Sequence, residues 1–492
     1  LNTVWSTMPI AIGAPNRRTS NASGPSRMRV VARSAAATEH LHSTPFVRNF
    51  CAAELPHRIS QKFVEVTLRE EAGKLPGVEL RYGWRLLDFA DDGAAVHAQV
   101  APVAGGDPVT VQAAYMMAAD GARSMARARF GIPWEGGTGF KRNFMGGKMF
   151  AVYLRAPDFY RLNPNDRAWM YVQVHPQLRS FIMSVDGVSE FAFHTQVPDG
   201  VDGDTLTEAD ARRLFAQASG LNIPIDILST ATWLAGHALV AAEFQRGRVF
   251  LGGDAAHLFT PTGGLGYNTA VEDAVNLGWK LAAVLKGQAP PALLDSYALE
   301  RKPLALRNTG YARGFADSIG LFDAVPELDD DTPAGVAARA VASEYLNGHV
   351  RREFNIPGVT FGGRYDGSPL IVGDGSLPPS DTANSYVPTA CPGGRPPHAW
   401  LPDGRSLFDT FNPDWTLLVL GTDPPDARAF TQAAQALGLP LRLVRHAYPD
   451  LFALYEAPLC LIRPDHIVAW RGHSDADAQT VMETVSGRAI RS

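Results

Sequence analysis

The chain has 492 residues, 46% of them hydrophobic and 19% charged, a composition that excludes a disordered protein and predicts a folded globular one. With 45 Lys and Arg against 50 Asp and Glu the net charge is −5, and no basic block offers a track for nucleic acid. Cys51, Cys391 and Cys460 lie far apart without a CxxC, which argues against a disulfide framework or a cysteine metal site and predicts a reducing, cytoplasmic compartment.

No apolar run reaches the ~18–20 residues of a membrane span, and no secretory signal is read. Residues 1–45 scatter Arg17, Arg18, Arg27, Arg29 and Arg33 among Ser, Ala, Asn and Gly with neither strand nor helix period. They are read as an irregular leader or a displaced start of the gene. A helix is predicted over 61–73, with Phe63, Val64 and Leu68 on one face and Gly73 as its stop. Two strands follow, turning at Asp92-Gly93, and then a strand that runs into a loop at Asp120-Gly121. Residues 148–240 alternate as an antiparallel sheet with one helical insert at 207–219. RVFLGGDAAH, 248–257, reads as a buried strand entering a glycine loop. The helix after it, 269–286, is expected to bury Val271, Ala274, Val275, Gly278, Leu281, Ala282 and Leu285. More helix continues to about residue 350, a Gly- and Pro-rich connector covers 351–400, and the tail alternates strands and helices as a compact α/β unit.

The chemistry concentrates in GGDAAHLFTPTGGLGYN, residues 252–268. A hydrophobic strand delivers Gly252, Gly253 and Asp254 at its carboxyl end, where ligands sit in open α/β sheets. Pro261, Gly263, Gly264 and Gly266 then allow close approach of something flat, directly before a helix N-terminus that favours negative charge. A tight strand-to-helix turn would explain any one of these glycines. The whole ordered series favours a site.

GGDAAH…PTGGLGYN resembles the Gly-Asp segment of the class A flavin-dependent aromatic hydroxylases, of the phenol and para-hydroxybenzoate hydroxylase type. DGARS, 120–124, is similar to that family's Asp-Gly segment, and LPHRISQKFVEVTLRE, 55–70, to a further FAD-contacting stretch through Arg58 and Gln61. The resemblance covers about 55–492. It implies an oxidoreductase of mixed α/β fold: an FAD-binding Rossmann-like domain over 46–147 and 246–350, an inserted antiparallel substrate sheet over 148–245, and a thioredoxin-like domain over 401–492 used for packing and dimerisation. It implies FAD as cofactor, NAD(P)H and O2 as co-substrates, and transfer of one oxygen from a C4a-hydroperoxyflavin to a phenolic or polyketide-like aromatic. Asp254 would hold the ribityl chain. Pro261, Gly263, Gly264, Leu265, Gly266 and Asn268 would lie against the isoalloxazine, with Gly253 shaping the turn. Arg58, Gln61, Asp120, Gly121 and Arg123 would serve FAD and the passing nicotinamide, and His257 would brace the loop.

One departure stands out. The family opens with strand–GxGxxG–helix, and this sequence contains no GxGxxG; Ala11-Ile12-Gly13-Ala14-Pro15 does not replace it. The FAD-binding domain is therefore expected to be incomplete, and an FAD-deficient homologue acting as a binding or interaction protein stays open as the alternative. Tyr153, Tyr171, His175, His194 and His237 are polar candidates on the sheet, and Met145, Met149, Phe150 and Trp169 are candidates for an aromatic pocket. None is singled out as a catalytic base.

Overall fold

In the computed structural model, described over residues 10–13, 29–32, 51–54, 57–138, 146–198, 200–411 and 413–490, the alternating segments of the middle of the chain form one antiparallel sheet. Its order is Ile10–Gly13, Arg29–Ala32, Met170–Gln173, Ser180–Ser184, Glu190–Gln196, Gly147–Arg155 and Asp226–Ala235. The two short N-terminal strands correct the reading of 1–45 as irregular throughout: four-residue stretches pair with each other and then with Met170–Gln173, because a sheet edge satisfies backbone groups without demanding a long hydrophobic period.

The sheet is covered on both faces. Phe150, Val152, Leu154, Phe191 and Phe193 alternate onto one face and pack beneath Ala211, Leu214 and Phe215. Those three belong to a helix, Glu208–Ser219, started by a Thr207/Asp210 capping box and stopped at Gly220. The opposite face presents Met149, Met170, Val172, Phe181, Met183 and Trp233 toward Ile319, Phe322, Ala342 and Leu346. That second face roofs the site described below.

Five helices carry the rest of the argument: α1, Gln61–Gly73; α2, Met125–Arg129; α3, Leu265–Leu285; α4, Ser296–Gly320; and α5, Pro333–Phe354. A small sheet joins Gln245–Arg246, Val249–Leu251 and Met116–Ala118, and the last two strands run parallel. Among the described residues it has these three strands. Helix α1 buries none of its residues.

Helix α3 overturns the expected packing. Its buried face is Thr269, Asp273, Asn276, Leu277 and Lys280, while Val275 and Leu285 are exposed. The reason is a buried ionic lattice. Glu300 of α4 accepts from Lys280 Nζ at 2.7 Å, from both Arg463 η-nitrogens at 2.6 and 2.8 Å, from Asn276 at 2.7 Å and from Ser368 at 2.6 Å. Arg463 fixes the C-terminal unit to α3 and α4 through this lattice. That unit is a four-stranded sheet in the order Leu441–His446, Trp415–Leu420, Leu459–Ile462, Val468–Gly472, with the first pair parallel and the others antiparallel. Helices Arg428–Ala436 and Ala478–Val485 pack on one face of it. Among the described residues, no helix is long and apolar enough to cross a membrane.

Candidate active site

The buried strand Val249–Leu251 ends at Gly252, and Gly253 turns the chain with a φ of +58°. The backbone returns through His257-Leu258 and then runs Thr260-Pro261-Thr262-Gly263-Gly264 into α3. Gly263 and Gly264 both hold positive φ, +73° and +65°, and a Cβ on Gly263 would meet the Phe315 ring at 3.2 Å. The loop is tied from both sides. Thr262 Oγ1 donates to the Ala312 carbonyl at 2.6 Å, and the Gly263 N–H donates to Glu353 Oε1 at 3.0 Å. No side chain caps the start of α3 and its first turn carries no acid, so its amide dipole is left to meet an external acceptor.

Behind the loop, Asp273 organises three elements. Its Oδ2 takes His257 Nε2 at 2.6 Å and the Gly253 N–H at 3.1 Å, while Oδ1 takes Arg301 Nε at 2.8 Å. Burial alone would raise this carboxyl, but Arg301 and His257 hold it below the usual carboxylate range. Arg301 is itself fully buried and also donates to Glu272 and to the Tyr365 hydroxyl.

A cavity of about 280 Å³ opens beside the loop, between it, the second face of the large sheet and α5. Its walls are apolar and aromatic, chiefly Trp169, Phe181, Trp233, Ile319, Leu346 and Phe354, with Pro261, Thr262, Gly263 and Gly264 at one side. The Arg58 guanidinium stacks 3.2 Å from the Trp169 ring centroid. His194 stacks on Phe181 at 4.8 Å and meets Trp233 Nε1 at 3.3 Å, and burial pulls its pKa down to about 4. On α5, His349 Nε2 lies 2.7 Å from Glu353 Oε2. A second cavity of about 270 Å³ lies under the connector, where Arg307 and Arg364 are paired with Asp381 and Asp366.

The structure thus brings Arg58, Pro261, Gly263, Gly264, Trp169 and His194 to one cavity. Leu265 packs among Ala312, Phe315, Ile356 and Val359 in the first turn of α3; Gly266 lies against Phe259, and Asn268 Nδ2 donates to the Gly264 carbonyl at 2.8 Å. Asp254 is exposed beyond the strand end. Gln61 is exposed at the start of α1 and does not line the cavity. Asp120 Oδ2 accepts from the Met125 and Ala126 amides at 2.7 and 3.2 Å, Gly121 has a φ of +79°, and Arg123 is exposed. Arg127, which sequence reasoning passed over, joins the two loops by donating to the Ala255 and Ala122 carbonyls at 3.1 and 2.9 Å.

Of the polar sheet candidates, only His194 reaches the cavity. The Tyr171 hydroxyl accepts from the Ala168 N–H and donates to the Asp166 carbonyl, His175 pairs with Asp329, His237 pairs with Thr138, and Tyr153 is exposed. Met149 sits in the core of the cavity-facing side, Phe150 packs on the opposite face, and Met145 lies outside the described residues. His349 and Glu353 were also missed. Their signal was a His-x-x-x-Glu spacing inside a helix, which places two side chains one turn apart on one face.

A flat, electron-accepting ring fits this geometry: a glycine platform, a helix N-terminus for its anionic edge, and a cavity with aromatic walls. The described residues contain no strand–GxGxxG–helix unit for the nucleotide half.

Fold and site together define a flavin-dependent monooxygenase. Residues 12–311 match the FAD-binding domain family, and residues 389–489 match the C-terminal domain of aromatic-ring hydroxylases. The FAD-dependent monooxygenase apdD of Emericella nidulans is 29% identical over 466 residues, covering 87% of this chain and 72% of that protein. The 4-methyl-5-nitrocatechol 5-monooxygenase of a Burkholderia species is 30% identical over 457 residues, covering 88% and 78%. The structure of the rebeccamycin biosynthetic enzyme RebC with reduced flavin superposes with a TM-score of 0.77 at 33% identity, covering 88% of this chain and 78% of that one. The chain belongs to the FAD-binding aromatic-ring hydroxylases.

Proposed function

We propose that this chain hydroxylates a phenolic or polyketide-like aromatic held in the cavity beside the Pro261–Gly264 loop. The observation that carries the reading is that cavity: its size, its aromatic walls and its contact with a preorganised glycine platform. FAD held there would supply the redox chemistry of an NAD(P)H- and O2-dependent hydroxylation. The chain's own residues would do the rest. Pro261, Gly263 and Gly264 would lie against the ring, and the α3 N-terminus would stabilise its developing negative edge. Asp254 would take the ribityl hydroxyls, with Asp120 and Arg123 nearer the nucleotide. The apolar sheet face would exclude water while holding the substrate ring flat. A relative acting on a nitrocatechol supports a hydroxylated single ring as substrate, and the breadth of the cavity suits a fused one equally. The C-terminal unit is read as thioredoxin-like from its strand order; lacking a CxxC, it would serve packing rather than disulfide exchange.

The test is to supply FAD, NADPH and a panel of phenols, and follow the substrate by mass spectrometry under isotopically heavy O2. One heavy oxygen atom in the product is expected. NADPH consumption that no phenol stimulates, with no labelled product, would remove the hydroxylase reading for this chain.

A further inference from the structure

The second cavity, about 270 Å³ under the connector, carries a charge that its own walls do not cancel. It shares no lining residue with the cavity beside the glycine loop. Helix α4 reaches both, through Arg307 here and Ile319 there, and about 18 Å of helix separates those two residues.

Three arginines and two aspartates line this second cavity, a balance of one positive charge. Arg307 grips both oxygens of Asp381, from Nε at 2.9 Å and Nη2 at 2.6 Å. Arg364 holds Asp366 in the same way, from Nε at 3.0 Å and Nη2 at 2.8 Å. Arg395 is left over. Among the described residues no carboxylate bonds to it: Nη1 donates to the Cys51 carbonyl at 3.0 Å, and the guanidinium lies 4.8 Å from the Phe361 ring centroid and 4.4 Å from that of Phe408. The Tyr386 hydroxyl stands beside it and brings no charge at neutral pH. Burial lowers the pKa of this guanidinium, as expected of a cation taken from water without a counter-ion. A guanidinium has five N–H donors in a fixed fork, and one carbonyl with one hydroxyl cannot satisfy them.

We propose that this cavity binds a small aromatic carboxylate, with the carboxylate on Arg395 and the ring against Phe361 and Leu304. A planar fork pairs with a carboxylate through two parallel hydrogen bonds, which a hydroxyl or a carbonyl cannot match. One uncancelled charge suits a monoanion, whereas a phosphate dianion would bring a second negative charge with nothing to pair it. Phe361, Leu304 and Val387 give the ring an apolar bed. Nothing in this binding requires flavin or the hydroxylation proposed above.

The experiment is calorimetric titration of the full chain with sodium benzoate, with benzamide as its uncharged analogue and inorganic phosphate as an anion without a ring. Benzoate should bind with a Kd below about 1 mM, and benzamide and phosphate at least tenfold more weakly. Arg395→Met should weaken benzoate at least tenfold, and Arg395→Lys should weaken it less. Because Arg395 also packs between two rings, a second variant separates site from fold. Val387 lines the cavity from a position 58% exposed, so Val387→Trp should fill the space and block benzoate while the thermal unfolding curve stays in place. Benzoate binding that Val387→Trp and Arg395→Met both leave unchanged would put the ligand elsewhere and overturn the proposal. Absence of benzoate binding to the original chain would overturn it too. Equal affinity for benzamide would remove the role of Arg395, and equal affinity for phosphate would remove the role of the ring.

Discussion

Helices α3 and α4 bury Asp273, Lys280, Glu300 and Arg301 to 1% exposure or less, whereas α1 leaves Phe63, Val66 and Leu68 at 44%, 41% and 51% exposure. The two regions belong to one family match, residues 12–311. They show two ways of placing an element, at the surface or in the interior. Removing four charges from water costs several kcal/mol each unless the partners are already in place. Where they are, the lattice is satisfied in one arrangement only, and the glycine loop hung on it is preorganised. Helix α1 has no such support. A lone 13-residue helix is marginal in water, and its exposed apolar side marks a surface built for contact. The glycine-loop region is held by a buried ionic lattice; α1, among the described residues, is not.

The sharpest way to break that contrast is Glu300→Ala, which strands Lys280 in the interior and leaves Arg463 with Asp465 alone. A loss of about 3–5 kcal/mol is expected from urea unfolding. Burial would raise the Glu300 carboxyl, but Arg463 and Lys280 depress it, as Arg301 and His257 depress Asp273. A depressed carboxylate contributes stability that is complete above its unfolded pKa and is lost as pH falls through the lower folded value. The gap between Glu300→Ala and the original chain should therefore narrow in acid.

A smaller effect is expected from the loop. Gly263→Ala forces a side chain into positive φ and against Phe315, and should cost roughly 1–3 kcal/mol with loss of bound flavin. Gly264→Ala meets open space and carries only the backbone cost, about 1 kcal/mol. Flavin retention after desalting separates the two. His194 tests the sheet side. Its folded pKa of about 4 lies below the ordinary 6.5, so it favours the fold above pH 6.5 and that contribution is lost as pH falls toward 4. His194→Phe should flatten this part of the acid-stability curve, read by thermal unfolding across that window.

Local chemistry was legible in the sequence, and long-range charge was not. The strand alternation at Phe191 and Phe193, the Asp92-Gly93 turn and the glycine loop all follow from patterns within a dozen residues. Helix α3 misled because its apolar positions, Val275 and Leu285, look like a core face. The true buried face carries Asp273, Asn276 and Lys280, and only partners 20 to 190 positions away, Glu300, Arg301, Asp465 and Arg463, make that tolerable. The same reason hid Arg127 and the His349–Glu353 pair, whose partners Ala255 and Gly263 come from a distant loop. Asp254 and Asp120 stand out as motif letters, and both are exposed, Asp120 with one carboxylate oxygen already held by the Met125 and Ala126 amides.

The weakest expected effect decides what α1 is. Phe63 is 44% exposed, so Phe63→Ala removes little packing and should change stability by no more than about 0.5 kcal/mol. The same truncation in the buried face of the large sheet, Phe193→Ala, should cost about 3–5 kcal/mol. The two variants, measured by urea unfolding in one buffer, give the contrast directly. A cost above about 2 kcal/mol at Phe63 would mean that α1 is covered in solution and as firmly packed as the large sheet.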